Sequence, residues 1–154
     1  MKSKYLFATK FKKVGGVFLI IGLVMGVLYL GGINEPAFFD MSVFSFVETG
    51  IMDEDIYFGF TQNNIFDELI LLFLLIGLLL IGFSKQRVED EYISKIRLDC
   101  LLWATYLNYI ILILAIIFTF GFAFFWVLVF NVFTILVFYN IRFHYIMYKN
   151  KRLV

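Results

Sequence analysis

Leu69-Ile70-Leu71-Leu72-Phe73-Leu74-Leu75-Ile76 is an unbroken apolar run, and its lack of alternation decides how the rest of the chain is read. A membrane-barrel strand alternates apolar and polar residues over about ten positions. This run does not, so it reads as a helix in an apolar medium. The composition around it agrees: 62% of the 154 residues are hydrophobic and 16% are charged. Soluble domains carry about 45–50% and about 25%, respectively. A globule of this size has too little interior to hide the excess, which leaves lipid as the solvent for these segments.

A crossing helix needs about 20 mostly apolar residues. Four stretches qualify: Val14 to Gly32, Ile65 to Phe83, Leu101 to Phe120 and Phe122 to Ile141. The expected fold is therefore all-α, a single four-helix transmembrane domain over residues 1–154, with a loop at 33–64 and a polar segment at 84–100. The first stretch has a basic flank like that of a signal peptide. It lacks paired small residues at a cleavage site, and its apolar run exceeds a usual signal core, so a retained helix is expected.

All 13 Lys and Arg residues fall in three places. Lys2, Lys4, Lys10, Lys12 and Lys13 precede the first span. Lys85, Arg87, Lys95 and Arg97 lie between the second and third, and Arg142, Lys149, Lys151 and Arg152 follow the fourth. Basic residues near span ends stay on the cytoplasmic side. Both termini and the 84–100 segment are thus expected inside, which also excludes insertion in two opposite orientations. The 33–64 loop carries only acids: Glu35, Asp40, Glu48, Asp53, Glu54 and Asp55. Its apolar content (Phe38, Phe39, Val43, Phe44, Phe46, Tyr57, Phe58, Phe60) suits a segment that rests on the membrane surface or caps the bundle. The Asp53-Glu54-Asp55 run offers oxygen ligands to a divalent cation, but its spacing does not match a calcium-binding loop. Asn64 is placed to cap the second helix, with Asp67 and Glu68 in its first turn. Only a few residues around Gly121 separate the last two spans, which predicts a tight antiparallel hairpin.

The 84–100 segment reads as a turn followed by a helix that feeds into the third span. Glu91–Lys95 and Lys95–Asp99 are opposite-charge pairs at i,i+4 spacing. Arg87, Glu91, Lys95 and Arg97 are the candidate surface for a cytoplasmic partner; a plain solvated helix end is the alternative. Inside the membrane, Thr105, Asn108 and Thr119 share one face of the third span, and Asn131 and Thr134 share one face of the fourth. Counted from the turn, Asn108 and Asn131 reach similar depth and are expected to face each other. Such groups either join helices or line a polar path for a solute or ion. Joining is favoured, because no Asp or Glu lies in mid-span to couple protons. Gly22-Leu23-Val24-Met25-Gly26, with Gly15 near the same face, permits close helix approach within the chain or between copies. Trp103, Trp126, Tyr5, Tyr145 and Tyr148 suit the membrane interfaces.

Chemistry is sparse. Cys100 and His144 are the only residues of their types, so thiolate zinc clusters, disulfides within the chain and histidine pairs are excluded. No hydrolase, phosphate-loop or dinucleotide motif occurs. No enzyme, metal or cofactor is expected. The N-terminal lysines, interleaved with Tyr5, Leu6, Phe7 and Phe11, suit anionic lipid rather than nucleic acid.

Residues Lys85 to Asp99, running on into Leu102-Trp103-Ala104-Thr105-Tyr106, together with the N-terminal Lys4-Tyr5-Leu6-Phe7 and the Arg142-Phe143 region, resemble a family of small uncharacterised bacterial four-span integral membrane proteins, often encoded beside a helix-turn-helix regulator. The resemblance covers most of the chain. It implies a multi-pass protein of the bacterial cytoplasmic membrane and a cytoplasmic protein partner, but no activity and no functional residues. Three readings of function follow: recruitment or sensing through a cytoplasmic partner, a small-solute or ion channel or transporter, and an accessory subunit of a larger membrane complex. A homo-oligomer is compatible with each.

Overall fold

The structure, a computed structural model, describes residues 5–32, 36–48, 56–86 and 90–151. It has four helices: α1 (Phe11–Leu30), α2 (Phe66–Gly82), α3 (Glu91–Phe118) and α4 (Phe122–Lys151). Two strands, β1 (Asp40–Glu48) and β2 (Ile56–Asn64), follow a short 3-10 turn at Ala37–Phe39. Helices α1, α3 and α4 are each long and apolar enough to cross a bilayer, and only 11% of the most apolar stretch of each is buried within the protein. Surfaces this apolar and this open need a hydrocarbon solvent. Helix α2 has 17 residues, a rise of about 26 Å, and so falls short of the usual spanning length of about 20 residues.

The contacts divide the chain into two compact units, Ile20–Leu74 and Met1–Leu19 with Leu75–Val154. The first contains a correction to the all-α expectation. β1 and β2 pair antiparallel from Asp40↔Asn64 to Glu48↔Ile56. These residues were read as a surface-seeking loop because they are apolar. Their β-branched and aromatic content favours strands, and Phe44, Phe46, Phe58 and Phe60 gather on one face. Ring centroids there lie 5.5 Å apart for Phe44–Phe60 and 5.7 Å for Phe46–Phe58. Asp53-Glu54-Asp55 lies outside the described residues.

Asn64 joins this hairpin to α2. Its Oδ1 accepts the Phe66 N–H at 3.1 Å, and its Nδ2 donates to Asp40 Oδ1 at 2.6 Å and to the Pro36 carbonyl at 3.2 Å. The expected helix cap thus also fastens the root of the two strands. Phe66, buried at the helix start, sits against the rings of Tyr29 and Phe39. In the same unit a Cβ on Gly22 would meet Leu74 at 3.0 Å, whereas one on Gly26 would meet only Ile70 at an ordinary 3.5 Å.

In the second unit, α1 and α2 approach closely. A Cβ on Gly77 would lie 2.7 Å from the Leu19 nitrogen, and one on Gly15 would lie 2.7 Å from Leu80 Cβ. Asp90 caps α3 by accepting the Ile93 N–H on Oδ1 at 2.8 Å, with Glu91 in the first turn where the helix dipole favours an acid. Helix α3 ends at Thr119, whose N–H donates to Ala115 O at 2.8 Å. Gly121 then takes φ +67°, which reverses the chain into α4. The left-handed angle costs glycine nothing, so the expected tight hairpin forms. Ile93, Ile96, Cys100 and Ala104 of α3 pack with Tyr139 and Phe143 of α4 to make the core.

Candidate functional site

The polar stripe divides in two. Asn131 Nδ2 donates to Asn108 Oδ1 at 3.0 Å, which brings together the two amides placed at equal depth by the spacing. Asn108 is 2% exposed. The threonines behave differently from the expectation. Thr105 Oγ1 donates to Leu101 O at 2.9 Å and Thr134 Oγ1 to Phe130 O at 3.1 Å, each within its own helix. A hydroxyl that donates to the carbonyl four residues back spends its one proton within its own helix rather than across to the neighbouring one. Thr119 is the C-cap of α3, just past its last helical residue, and bonds there through its backbone N–H.

Of the four residues read as a partner surface, Arg87 lies outside the described residues. Glu91 and Lys95 are exposed. Arg97 requires a correction: it is 8% exposed and faces inward. Its Nη1 donates to the Gly82 carbonyl at 2.7 Å and to Tyr139 Oη at 3.2 Å, and its Nη2 lies 3.5 Å from Ser84 O. The guanidinium carbon lies 4.6 Å from the Phe143 ring centroid.

Helix physics explains this placement. The last four carbonyls of a helix lack partners within it, and the helix C-terminus attracts positive charge. In α2 three of those four, on Leu79, Leu80 and Gly82, receive donors from beyond the helix. Phe83 N–H donates to Leu79 O, Ser84 Oγ donates to Leu80 O, and Gly82 O receives both Arg97 and the Tyr139 hydroxyl, the latter at 3.0 Å. Asn140 Nδ2 reaches Leu78 O at 3.1 Å. A Cβ on Gly82 would lie 2.8 Å from Tyr139 Cε1, so only glycine admits the ring. The N-terminal tail completes the arrangement: Phe7 N–H donates to Phe83 O at 3.0 Å, and Lys85 N–H donates to Phe7 O at 2.9 Å.

The rings of Phe83, Tyr139 and Phe143 stack in sequence, with centroids 5.1 and 5.8 Å apart and Arg97 over the last. Sequence reasoning missed this assembly, although one signal was present. Ile93, Arg97, Cys100 and Ala104 recur at helical spacing, which puts Arg97 on the apolar face of α3.

His144 Nδ1 donates to Asn140 O at 2.9 Å.

With Arg97 turned inward, the outward side of the first three turns of α3 consists of Glu91, Tyr92, Lys95, Leu98 and Asp99, all exposed. Tyr92 is 61% and Leu98 57% exposed. Asn150 of α4 donates to Tyr92 Oη at 3.3 Å, so α4 runs beside this face. The arrangement is a mixed-charge shelf with two protruding apolar side chains. It contains no nucleophile–base pair, and among the described residues no three His, Cys, Asp or Glu side chains converge as metal ligands would. Comparison with protein-family models, with curated proteins and with solved structures finds no match to the chain.

Proposed function

We propose that this chain is a non-enzymatic, multi-pass protein of the bacterial cytoplasmic membrane that holds a cytoplasmic protein on the exposed face of α3. In this reading α2 is the fourth span and both termini are cytoplasmic. The observation that carries the proposal is the length and facing of α3. Its 28 residues rise about 42 Å, against hydrocarbon of about 30 Å. The three-residue turn at its far end leaves little room for surplus there, so the extra turns belong to the Glu91 end. On that end one side is sealed by Arg97, Ile93 and Ile96, and the other is open.

The positive-inside distribution of Lys and Arg supports the orientation. The resemblance to a family encoded beside helix-turn-helix regulators makes such a regulator the first partner to test. The mutual bond between Asn108 and Asn131 favours joining of helices over conduction.

Site-directed photo-crosslinking in native membranes tests the proposal. A photoreactive residue at Lys95 or Leu98 is expected to capture a cytoplasmic protein, whereas one at buried Ile96 gives only products within the chain. Exchanging the charges (Glu91→Lys with Lys95→Glu) is expected to abolish capture. Absence of an adduct at both exposed positions removes the reading, and an adduct with an integral membrane protein replaces it with the accessory-subunit role.

A further inference from the structure

Between α3 and α4, on the same end as the shelf, lies a cleft of about 340 Å³ lined by Trp103, Phe138, Ile141, Arg142, Tyr145 and Ile146. Its size falls in the range of small-molecule sites, about 300–1,000 Å³. The lining is aliphatic and aromatic except at the Arg142 rim. There the guanidinium carbon sits 4.3 Å from the centroid of the Trp103 ring. The ring meets the guanidinium in a cation–π contact, and the Cys100 side chain is a further neighbour, which together do not use up its five N–H donors. Among the described residues no carboxylate pairs with Arg142. An apolar groove with one cation held at its mouth is complementary to a molecule with a hydrocarbon tail and a phosphate head.

We propose that this cleft binds an anionic phospholipid of the cytoplasmic leaflet, with one acyl chain along Phe138, Ile141 and Ile146 and the phosphate on Arg142. The proposal rests on the membrane orientation above, which puts Trp103 and Arg142 at the boundary between hydrocarbon and headgroups. Tyr145 and Trp103 are residue types that settle at that depth.

The two tryptophans of the chain provide the test. The full chain is placed in phosphatidylcholine vesicles containing phosphatidylglycerol as the minor component, with one or the other lipid brominated on its chains. Trp126→Phe leaves Trp103 as the only reporter, and Trp103→Phe leaves Trp126. Brominated phosphatidylglycerol is expected to quench Trp103 as if enriched about fivefold over its bulk fraction, the ratio equivalent to the ~1 kcal/mol that one basic residue contributes toward anionic lipid. Trp126 follows the bulk fraction. Arg142→Gln abolishes the enrichment at Trp103 and Arg142→Lys keeps part of it, while bulk quenching of Trp126 in the same substitutions reports that the chain remains inserted. Quenching of Trp103 in proportion to bulk fraction in the unsubstituted site overturns the proposal without reference to any variant, as does enrichment that survives Arg142→Gln. If brominated phosphatidylcholine quenches neither tryptophan, the membrane reading fails and the lipid site fails with it; quenching of both without enrichment defeats the lipid site alone.

Discussion

Arg97 shows how one side chain can look like surface in a sequence and serve as structure in the fold. Lying in a run of charges, it reads as solvated; the position four residues after Ile93 and three before Cys100 puts it on the buried face instead. A buried cation is costly unless it is paired or well hydrogen-bonded. Here the compensation comes from carbonyls at the end of α2 and from the Phe143 ring. Because Gly82 O accepts from both Arg97 and Tyr139, the two donors cover for each other. Tyr139→Phe and Arg97→Met are each expected to lower stability by about 1 kcal/mol, and the double substitution to depart from their sum by about 0.5 kcal/mol or more, as residues in one hydrogen-bond network do. Reversible unfolding in mixed micelles measures the cycle; strict additivity would show that the shared acceptor has no energetic role. The Asn108–Asn131 pair is the opposite case. It was legible because helical spacing and distance from a glycine turn fix depth and facing without any knowledge of the core.

At the scale of elements, helix existence and polarity were readable from apolar runs, while strand pairing was not. The 40–48 and 56–64 segments carry as much aromatic character as the helices, and composition alone could not distinguish a membrane-resting loop from a hairpin whose Phe44–Phe60 contacts form only after pairing. The start of α3 at Glu91 fits the helix expected to feed into the third span, whereas α4 runs to Lys151, well past Ile141, because polar and charged turns still propagate a helix beyond its apolar run. Glycine placement separates packing from tolerance. Gly77→Ala forces a Cβ against the backbone of Leu19 and is expected to cost about 1–3 kcal/mol, the usual penalty for overpacking. A Cβ on Gly16 meets nothing within 4 Å, so Gly16→Ala is expected to be neutral or stabilising by a few tenths of a kcal/mol through helix propensity. Thermal denaturation in detergent compares the two, and equal losses would mean that α1 does not pack on α2 through Gly77.

For the whole molecule, the distribution of 13 basic residues among three segments carries more information than any motif in the chain. It leads to a direct accessibility prediction. In a Cys100→Ser background, Ser45→Cys is expected to react with a membrane-impermeant maleimide in intact cells. Lys10→Cys and Lys85→Cys are expected to react only after permeabilisation. Labelling of Lys85→Cys from outside would show that the 17 residues of α2 do not cross. Activity was the least legible property, and for a physical reason. Catalytic and metal sites announce themselves through clustered titratable groups, whereas the proposed docking face is built from ordinary charges and two protruding apolar side chains.

The bonds between Phe7 and residues 83 and 85 have a consequence for biogenesis. A ribosome must add more than seventy residues after Phe7 before its backbone partners exist. The clasp therefore closes as a late event in assembly, and the tail spends the interval unanchored except by its lysines. A chain stalled before Phe83 would lack both backbone partners of Phe7, so the clasp could not form on it.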